Sequence, residues 1–370
     1  MKISQLVSNY HPVFPSSNQA IYSHVAWLTN GLVAHNHEVS LFASGDSETN
    51  ANLFSVTPIA TSKMEISENL RKNYFHLLTS KCYAQATKTD IIHAHFNISN
   101  LFYASLVTTP TIQSFHTPLK EDEKIILENF KTQKFVSFSL AQRKQMPQLN
   151  WVGNIYHGVD TNKFAFNPTP QNYFLYLGRM TEDKGIHFAI EAAKAANVSL
   201  IIAGRSYLTE GYWHSQIEPH IDGKMVRYVG EADFEQKIEW LKNAKALLFP
   251  TQYDEIFGLV MIEAMACGTP VIGWNTGSVP EIIQDKKTGY VVSSVPEMIE
   301  AIENIDKIDR NDCRKRVENL FSVEKMVNGY IKIYERVIKE YTFCQEKSHR
   351  KDHKKDLFDI LSKYLKINIF

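Results

Sequence analysis

Short apolar runs alternate with longer segments whose apolar residues recur every three or four positions, and this rhythm continues along most of the chain. The runs read as buried strands of a parallel sheet and the longer segments as crossover helices, so the fold class is α/β. In the first half the pattern predicts strands at 3–7, 38–43, 90–93, 111–115, 134–138 and 154–156. Ile21, Val25, Leu28 and Leu32 place a helix between the first two, and 68–87 forms another. In the second half strands are expected at 173–177, 199–203, 225–229, 245–249, 270–273 and 289–292, with helices at 184–196 and 234–243 among those between them. The stretch 164–171 holds Pro168 and Pro170 and has little periodicity, which reads as a linker. This divides the chain into a first domain at 1–163, the linker, a second domain at 172–322, a terminal helix at 323–340 and a tail at 341–370.

Composition narrows the possibilities. A chain of 370 residues suits two domains of ordinary size. Lys plus Arg equals Asp plus Glu at 40 each, which argues against a nucleic-acid partner and confines any anion site to a local pocket. Cys82, Cys267, Cys313 and Cys344 form no CxxC pair, so reduced thiols are expected, with no disulfide frame and no structural zinc. The first residues are too polar and short for a signal peptide, and no apolar run reaches a membrane span, so a cytoplasmic location is expected. The tail carries seven Lys or Arg against four acids, with Leu357, Ile360, Leu361, Leu365 and Ile367 as an apolar stripe. A docked or solvated terminal helix is the simpler reading. A weak anchor at the inner membrane face is the sharper one, which the interspersed acids oppose.

The candidate chemistry lies in the second half. Glu255 is expected on a loop after an apolar strand, and Glu263 inside the helix that follows. The amides of Phe257, Gly258 and Leu259 open that helix, and a helix N-terminus favours anions. Gly258 lets a ligand approach the backbone. Two carboxylates beside a phosphate site need a reason. A sugar nucleotide supplies one, because its diphosphate seeks N–H donors while its hydroxyls seek acceptors. Upstream, residues 178–185 follow a strand and open a helix; Arg179 can fork onto a phosphate and Lys184 adds a point charge.

Taken together, Gly-Arg-x4-Lys-Gly at 178–185, the Glu255-x7-Glu263 pair with Phe-Gly-Leu between, Glu-Ala-Met-Ala-Cys-Gly-Thr-Pro-Val at 263–271 and Gly-Ser-Val-Pro-Glu at 277–281 resemble the nucleotide-binding half of GT-B glycosyltransferases of the large retaining family 4. The resemblance implies GT-B architecture, two Rossmann-like domains facing each other across a cleft. It implies that Arg179 and Lys184 bind the diphosphate, that Glu263 takes the ribose hydroxyls, that Glu255 contacts the transferred sugar, and that the 257–259 amides serve sugar and phosphate. His116, in Gln-Ser-Phe-His-Thr-Pro, resembles a family histidine beside the donor sugar. His93 and His95 match a family strand read as structural. His157 stands where the family usually has Asn at the crossing into the second domain.

Two departures stand out. The loop at 9–19 has no glycine where the family's loop is glycine-rich, leaving Ser16, Ser17 and Asn18 as hydrogen-bond donors to phosphate or acceptor. Ile256 replaces a common proline. The resemblance implies transfer from a nucleoside diphosphate sugar to an acceptor hydroxyl with retention of configuration, by front-face attack and with no cofactor. Two cations and no Asp-x-Asp sequence suggest no metal. The acceptor is a saccharide, a lipid-linked saccharide or a small molecule. The rival readings are a sugar-nucleotide-binding protein without transfer, and a phosphorylase or epimerase on the same fold.

Overall fold

The computed structural model describes residues 1–17, 19–95, 97–206 and 211–343. Two parallel sheets make up its framework. The first has seven strands: β1 (Lys2–Leu6), β2 (Glu38–Phe42), β3 (Asn52–Phe54), β4 (Ile91–His95), β5 (Thr111–Ser114), β6 (Lys134–Ser137) and β7 (Asn150–Asn154), in the order β3-β2-β1-β4-β5-β6-β7. The second has six: β8 (Phe174–Leu177), β9 (Leu200–Ala203), β10 (Val226–Tyr228), β11 (Leu247–Phe249), β12 (Val271–Trp274) and β13 (Gly289–Val292), in the order β10-β9-β8-β11-β12-β13. Both are parallel, as the alternating pattern predicts, and Rossmann-like, as the resemblance implies.

Five helices matter for the site: α1 (Ala20–Ala34), α2 (Leu140–Arg143), α3 (Phe234–Asn243), α4 (Leu259–Ala266) and α5, which spans 323–343. Helix α5 follows the second sheet in the chain but packs on the first. Its Met326, Val327, Tyr330, Tyr334 and Val337 join Ile3, Leu28, Leu32, Ile91, Ile112 and Val136 in one core. Each such fully buried side chain of leucine size stabilises by roughly 1.5–3 kcal/mol, which ties the chain's end to the first domain. The approach is close: a Cβ on Gly31 of α1 would stand 2.4 Å from Val327 Cγ2.

Two strand assignments differ from the pattern. β3 is unforeseen, because three half-exposed residues at a sheet edge carry no hydrophobic run. β7 lies at 150–154 rather than 154–156, where Trp151 packs beside Phe135 with ring centroids 5.8 Å apart and a register shift falls between Phe135 and Val136.

In each sheet the strand order reverses once, between β1 and β4 and between β8 and β11. Ligands of open α/β sheets bind outside the strand carboxyl ends at such a reversal. The loops at 178–185 and 250–258 leave the two strands that flank the reversal of the second sheet. The loop at 7–19 and the end of β4 occupy the same place in the first.

Candidate active site

The carboxylate loop is held by its own motif neighbours. Gly258 takes φ 77° before α4, and a Cβ there would meet Met261 Cε at 2.7 Å and Phe249 Cζ at 3.2 Å. Backbone conformation and internal packing therefore already require glycine, before any ligand is considered. Gly277 takes φ 49°, and a Cβ would lie 2.4 Å from the Glu255 backbone nitrogen. Its N–H donates to Asp254 Oδ1 (3.1 Å), Ser278 N–H donates to the Glu255 carbonyl (2.9 Å), and Ser278 Oγ donates to the Phe257 carbonyl (2.9 Å). The segment 277–281 is thus a cradle that sets the position of Glu255 and of the 257–259 turn. Of the N–H groups that open α4, that of Met261 turns back to the Gly258 carbonyl (3.0 Å), and the end as a whole keeps the anion preference of a helix N-terminus.

Each carboxylate is paired with a lysine. Lys184 Nζ lies 2.6 Å from Glu255 Oε2, both side chains 14% exposed, and the Tyr253 hydroxyl donates to the same oxygen at 2.8 Å. Burial, then Glu255, push the Tyr253 phenol up, and the nearby charge of Arg179 partly offsets the rise. Lys237 Nζ lies 2.6 Å from Glu263 Oε1, with the side chains 11% and 14% exposed. Sequence reasoning missed Lys237. The available signal was its position on α3 with Phe234 at i−3 and Leu241 at i+4, a lysine on the buried face of an amphipathic helix. Each acid therefore has its own counterion. Lys184 and Glu255, which the resemblance gave to phosphate and to sugar, form one ion pair in this structure.

The first domain presents a histidine cluster. His116 follows β5, is half-buried, and its Nε2 lies 3.1 Å from His95 Nδ1. His93 bridges the Tyr334 hydroxyl (2.7 Å) and Ser114 Oγ (2.8 Å), tying β4 to α5. His24 and His157 face each other through their Nδ1 atoms at 2.7 Å. Burial holds all five imidazoles below their usual range, His24 to about 3, so they are neutral at pH 7. His24 was also missed, although it lies on the apolar stripe of α1 between Ile21 and Val25. Ser17 is buried and its Oγ accepts from the Gln19 N–H at 3.2 Å, whereas Ser16 is exposed in a turn. Asn18 lies outside the described residues.

The two walls meet. A narrow interdomain cavity is lined by Ser17, His24 and Trp27 from one side and by Lys237, Leu259 and Glu263 from the other. The His157 ring stands edge-on to Phe257 at 4.8 Å and stacks on His116 at 5.7 Å. Among the described residues no hydrogen bond or ion pair joins His116 to Glu255; the link runs through His157 and Phe257. Glu281 at the end of the cradle crosses the cleft: its carboxylate accepts from the Leu140 and Ala141 N–H groups that open α2 (2.8 and 2.7 Å) and from the Tyr156 hydroxyl (3.1 Å). No helix among the described residues is long and apolar enough to cross a membrane, and the basic tail lies outside them.

Comparison with known proteins agrees with this geometry. The family model for "Glycosyltransferase Family 4" matches residues 23–163, and that for "Glycosyl transferases group 1" matches 159–320. An uncharacterized glycosyltransferase of Methanocaldococcus jannaschii is 24% identical, over 90% of this chain and 98% of its own. Sucrose-phosphate synthase of Thermosynechococcus elongatus superposes with a TM-score of 0.72 at 19% identity, covering 92% of this chain and 99% of that one. The Anabaena protein HepE in complex with UDP-glucose superposes with a TM-score of 0.64 at 17% identity, covering 92% and 99%. The two structures share the GT-B fold with this chain. Two abutting family matches, two Rossmann-like domains and a cleft between them place this chain among the group 1 glycosyltransferases of family 4.

Proposed function

We propose that the chain transfers a sugar from a nucleoside diphosphate sugar to an acceptor hydroxyl, with retention of anomeric configuration. The observation that carries this reading is the pair of lysine–carboxylate units beside the α4 N-terminus. Cleaving the glycosyl–phosphate bond builds negative charge on the diphosphate. Lys184, Arg179 and the 257–259 amides stabilise it, so no metal ion is required for this step. Glu255, fixed by Tyr253 and the cradle, accepts from sugar hydroxyls, and Glu263 accepts from the ribose. His116, at the edge of the first domain, lies beside the donor sugar and the leaving phosphate. Ser17 faces Glu263 across the cavity and contacts the acceptor or phosphate side. The leaving phosphate takes the acceptor proton as the new bond forms on the same face. The complex of HepE with UDP-glucose, on a chain of the same fold, supports starting with that donor.

The test is incubation of the full chain with UDP-glucose and an acceptor panel in excess EDTA, with the product anomer read by NMR. Transfer with retention in the presence of chelator is expected. An inverted product would overturn the front-face mechanism. Activity that depends on added Mg²⁺ or Mn²⁺ would overturn the charge assignment. UDP-glucose binding with no turnover on any acceptor would favour a binding protein.

A further inference from the structure

Histidine is an uncommon core residue, and five share one buried cluster in this chain. One ring nitrogen from each of His24, His95 and His116 lies within 4.8 Å of the other two. The opposite sides of two of these rings are held from behind. The Gln5 amide nitrogen donates to the Tyr334 hydroxyl at 3.1 Å, so its Oε1 faces His95 Nε2 at 2.7 Å and accepts from it. That fixes the His95 tautomer with the proton on Nε2 and a lone pair on Nδ1, the atom 3.1 Å from His116 Nε2. His24 Nδ1 is engaged with His157, and its Nε2 is buried with no hydrogen-bond partner. Leaving such a nitrogen unsatisfied costs about 1–3 kcal/mol, and nothing in the transfer reading accounts for it.

We infer that His24, His95 and His116 form a binding site for one divalent transition-metal ion of the Zn²⁺ class. An all-imidazole set suits Zn²⁺, Co²⁺, Ni²⁺ or Cu²⁺, and lacks the oxygen ligands that Mg²⁺ and Ca²⁺ require. Tetrahedral coordination at about 2.0–2.1 Å places ligand nitrogens about 3.3 Å apart. The His95–His116 pair is already there at 3.1 Å, and the widest pair needs to close from no more than 4.8 Å, within reach of side-chain rotation. Gln5 behind His95 and His157 behind His24 are the outer partners that orient metal-bound imidazoles. His116 is half-buried and the adjacent Thr117 is exposed, so the His116 side is the outer side of the site. The proton between His95 Nδ1 and His116 Nε2 belongs to His116 and moves to its Nδ1 on binding, so three neutral imidazoles take the ion with no net proton release. Because His116 belongs to the proposed transfer site, an ion held there would withdraw it from the donor. That inhibitory consequence rests on the functional reading; the metal site does not.

The experiment uses the untagged full chain, stripped by chelator and titrated with Co²⁺ and Zn²⁺. Expected are visible bands of tetrahedral Co²⁺, one Zn²⁺ retained per chain through gel filtration, and a melting temperature raised by Zn²⁺. His24→Phe and His24→Gln, one keeping the ring's shape and the other its polarity, should each lose the bands while melting as cooperatively as the parent without metal. Gln5→Leu should weaken binding about 10- to 100-fold, and His214→Ala, on an exposed histidine paired with Glu218, should change nothing. No tetrahedral bands in the parent chain, the parent's affinity retained in both His24 variants, or loss of binding in His214→Ala would each overturn the site. All of these readouts are independent of transfer, so failure here leaves the proposed activity standing, and a failed activity assay leaves the metal site standing.

Discussion

Replacing Lys237 by Met should expose how strongly Glu263 depends on it. At a separation of 2.6 Å and an effective dielectric near 20, the gross attraction between the two charges is about 6 kcal/mol. Desolvation of two nearly buried ions cancels part of it. The remaining cost of removing one partner is the strain of leaving the other charge uncompensated, about 3 kcal/mol, at the low end for buried pairs because both tips keep some contact with water. A domain of this size loses roughly 2–4 °C of melting temperature per kcal/mol, so the second-domain transition should fall by about 6–12 °C. Glu263→Gln on the Lys237→Met background removes the orphaned charge and should recover most of that loss. The double variant should still bind nucleoside diphosphate poorly, because a neutral amide meets the ribose less strongly than a carboxylate. Calorimetric melting gives the stability cycle, and titration with UDP gives the binding. Strictly additive stability losses would show that the two side chains are not coupled, and unchanged UDP affinity in the double variant would remove Glu263 from the donor site.

Arg179→Ala should lower kcat/KM for the donor about 10- to 150-fold, the loss of one charge-assisted contact of roughly 1.5–3 kcal/mol, with melting unchanged; steady-state kinetics on folded protein check this. Glu281→Ala removes three hydrogen bonds across the cleft, so small-angle scattering should report a larger radius of gyration without donor, and kcat should fall about 10-fold if each lost contact is worth near 1 kcal/mol to the closed state and some are replaced by water. Stability should also fall with acidity. His24 has its folded pKa lowered to about 3, so the unfolded chain binds the proton first as pH drops below 6.5. Its contribution is intact above that value and is lost progressively down to about pH 3. At pH 5 the loss is about 2 kcal/mol from this group alone, measurable as a lower denaturant midpoint than at pH 7.5, and a flat profile between these pH values would show that the imidazole is not buried neutral.

Much of the fold was legible because buried parallel strands write themselves as short apolar runs. Strands such as β9 and β12 fall within a residue of expectation for that reason, while β3, a half-exposed edge strand, wrote nothing. The positions of Glu255, Glu263, Arg179 and Lys184 on loops and a helix start were legible from strand-end and helix-cap signals. Their partners were not. Lys237 is 26 residues from Glu263, and no local pattern specifies which lysine meets which acid.

The sequence by itself determined what local physics decides: two α/β units, the loops that leave their strands, and the residue types that suit a sugar nucleotide. Tertiary structure alone decided three further things. It packed α5 on the first sheet although its chain segment follows the second, because that is where its apolar stripe finds a face to cover. It brought Glu281 to the N-terminus of α2, 141 residues away, because orphan N–H groups accept whichever carboxylate the domain arrangement delivers. It gathered His24, His95, His116 and His157 from four separate segments into one cluster, since convergence at strand ends follows from topology and leaves no mark on residue spacing.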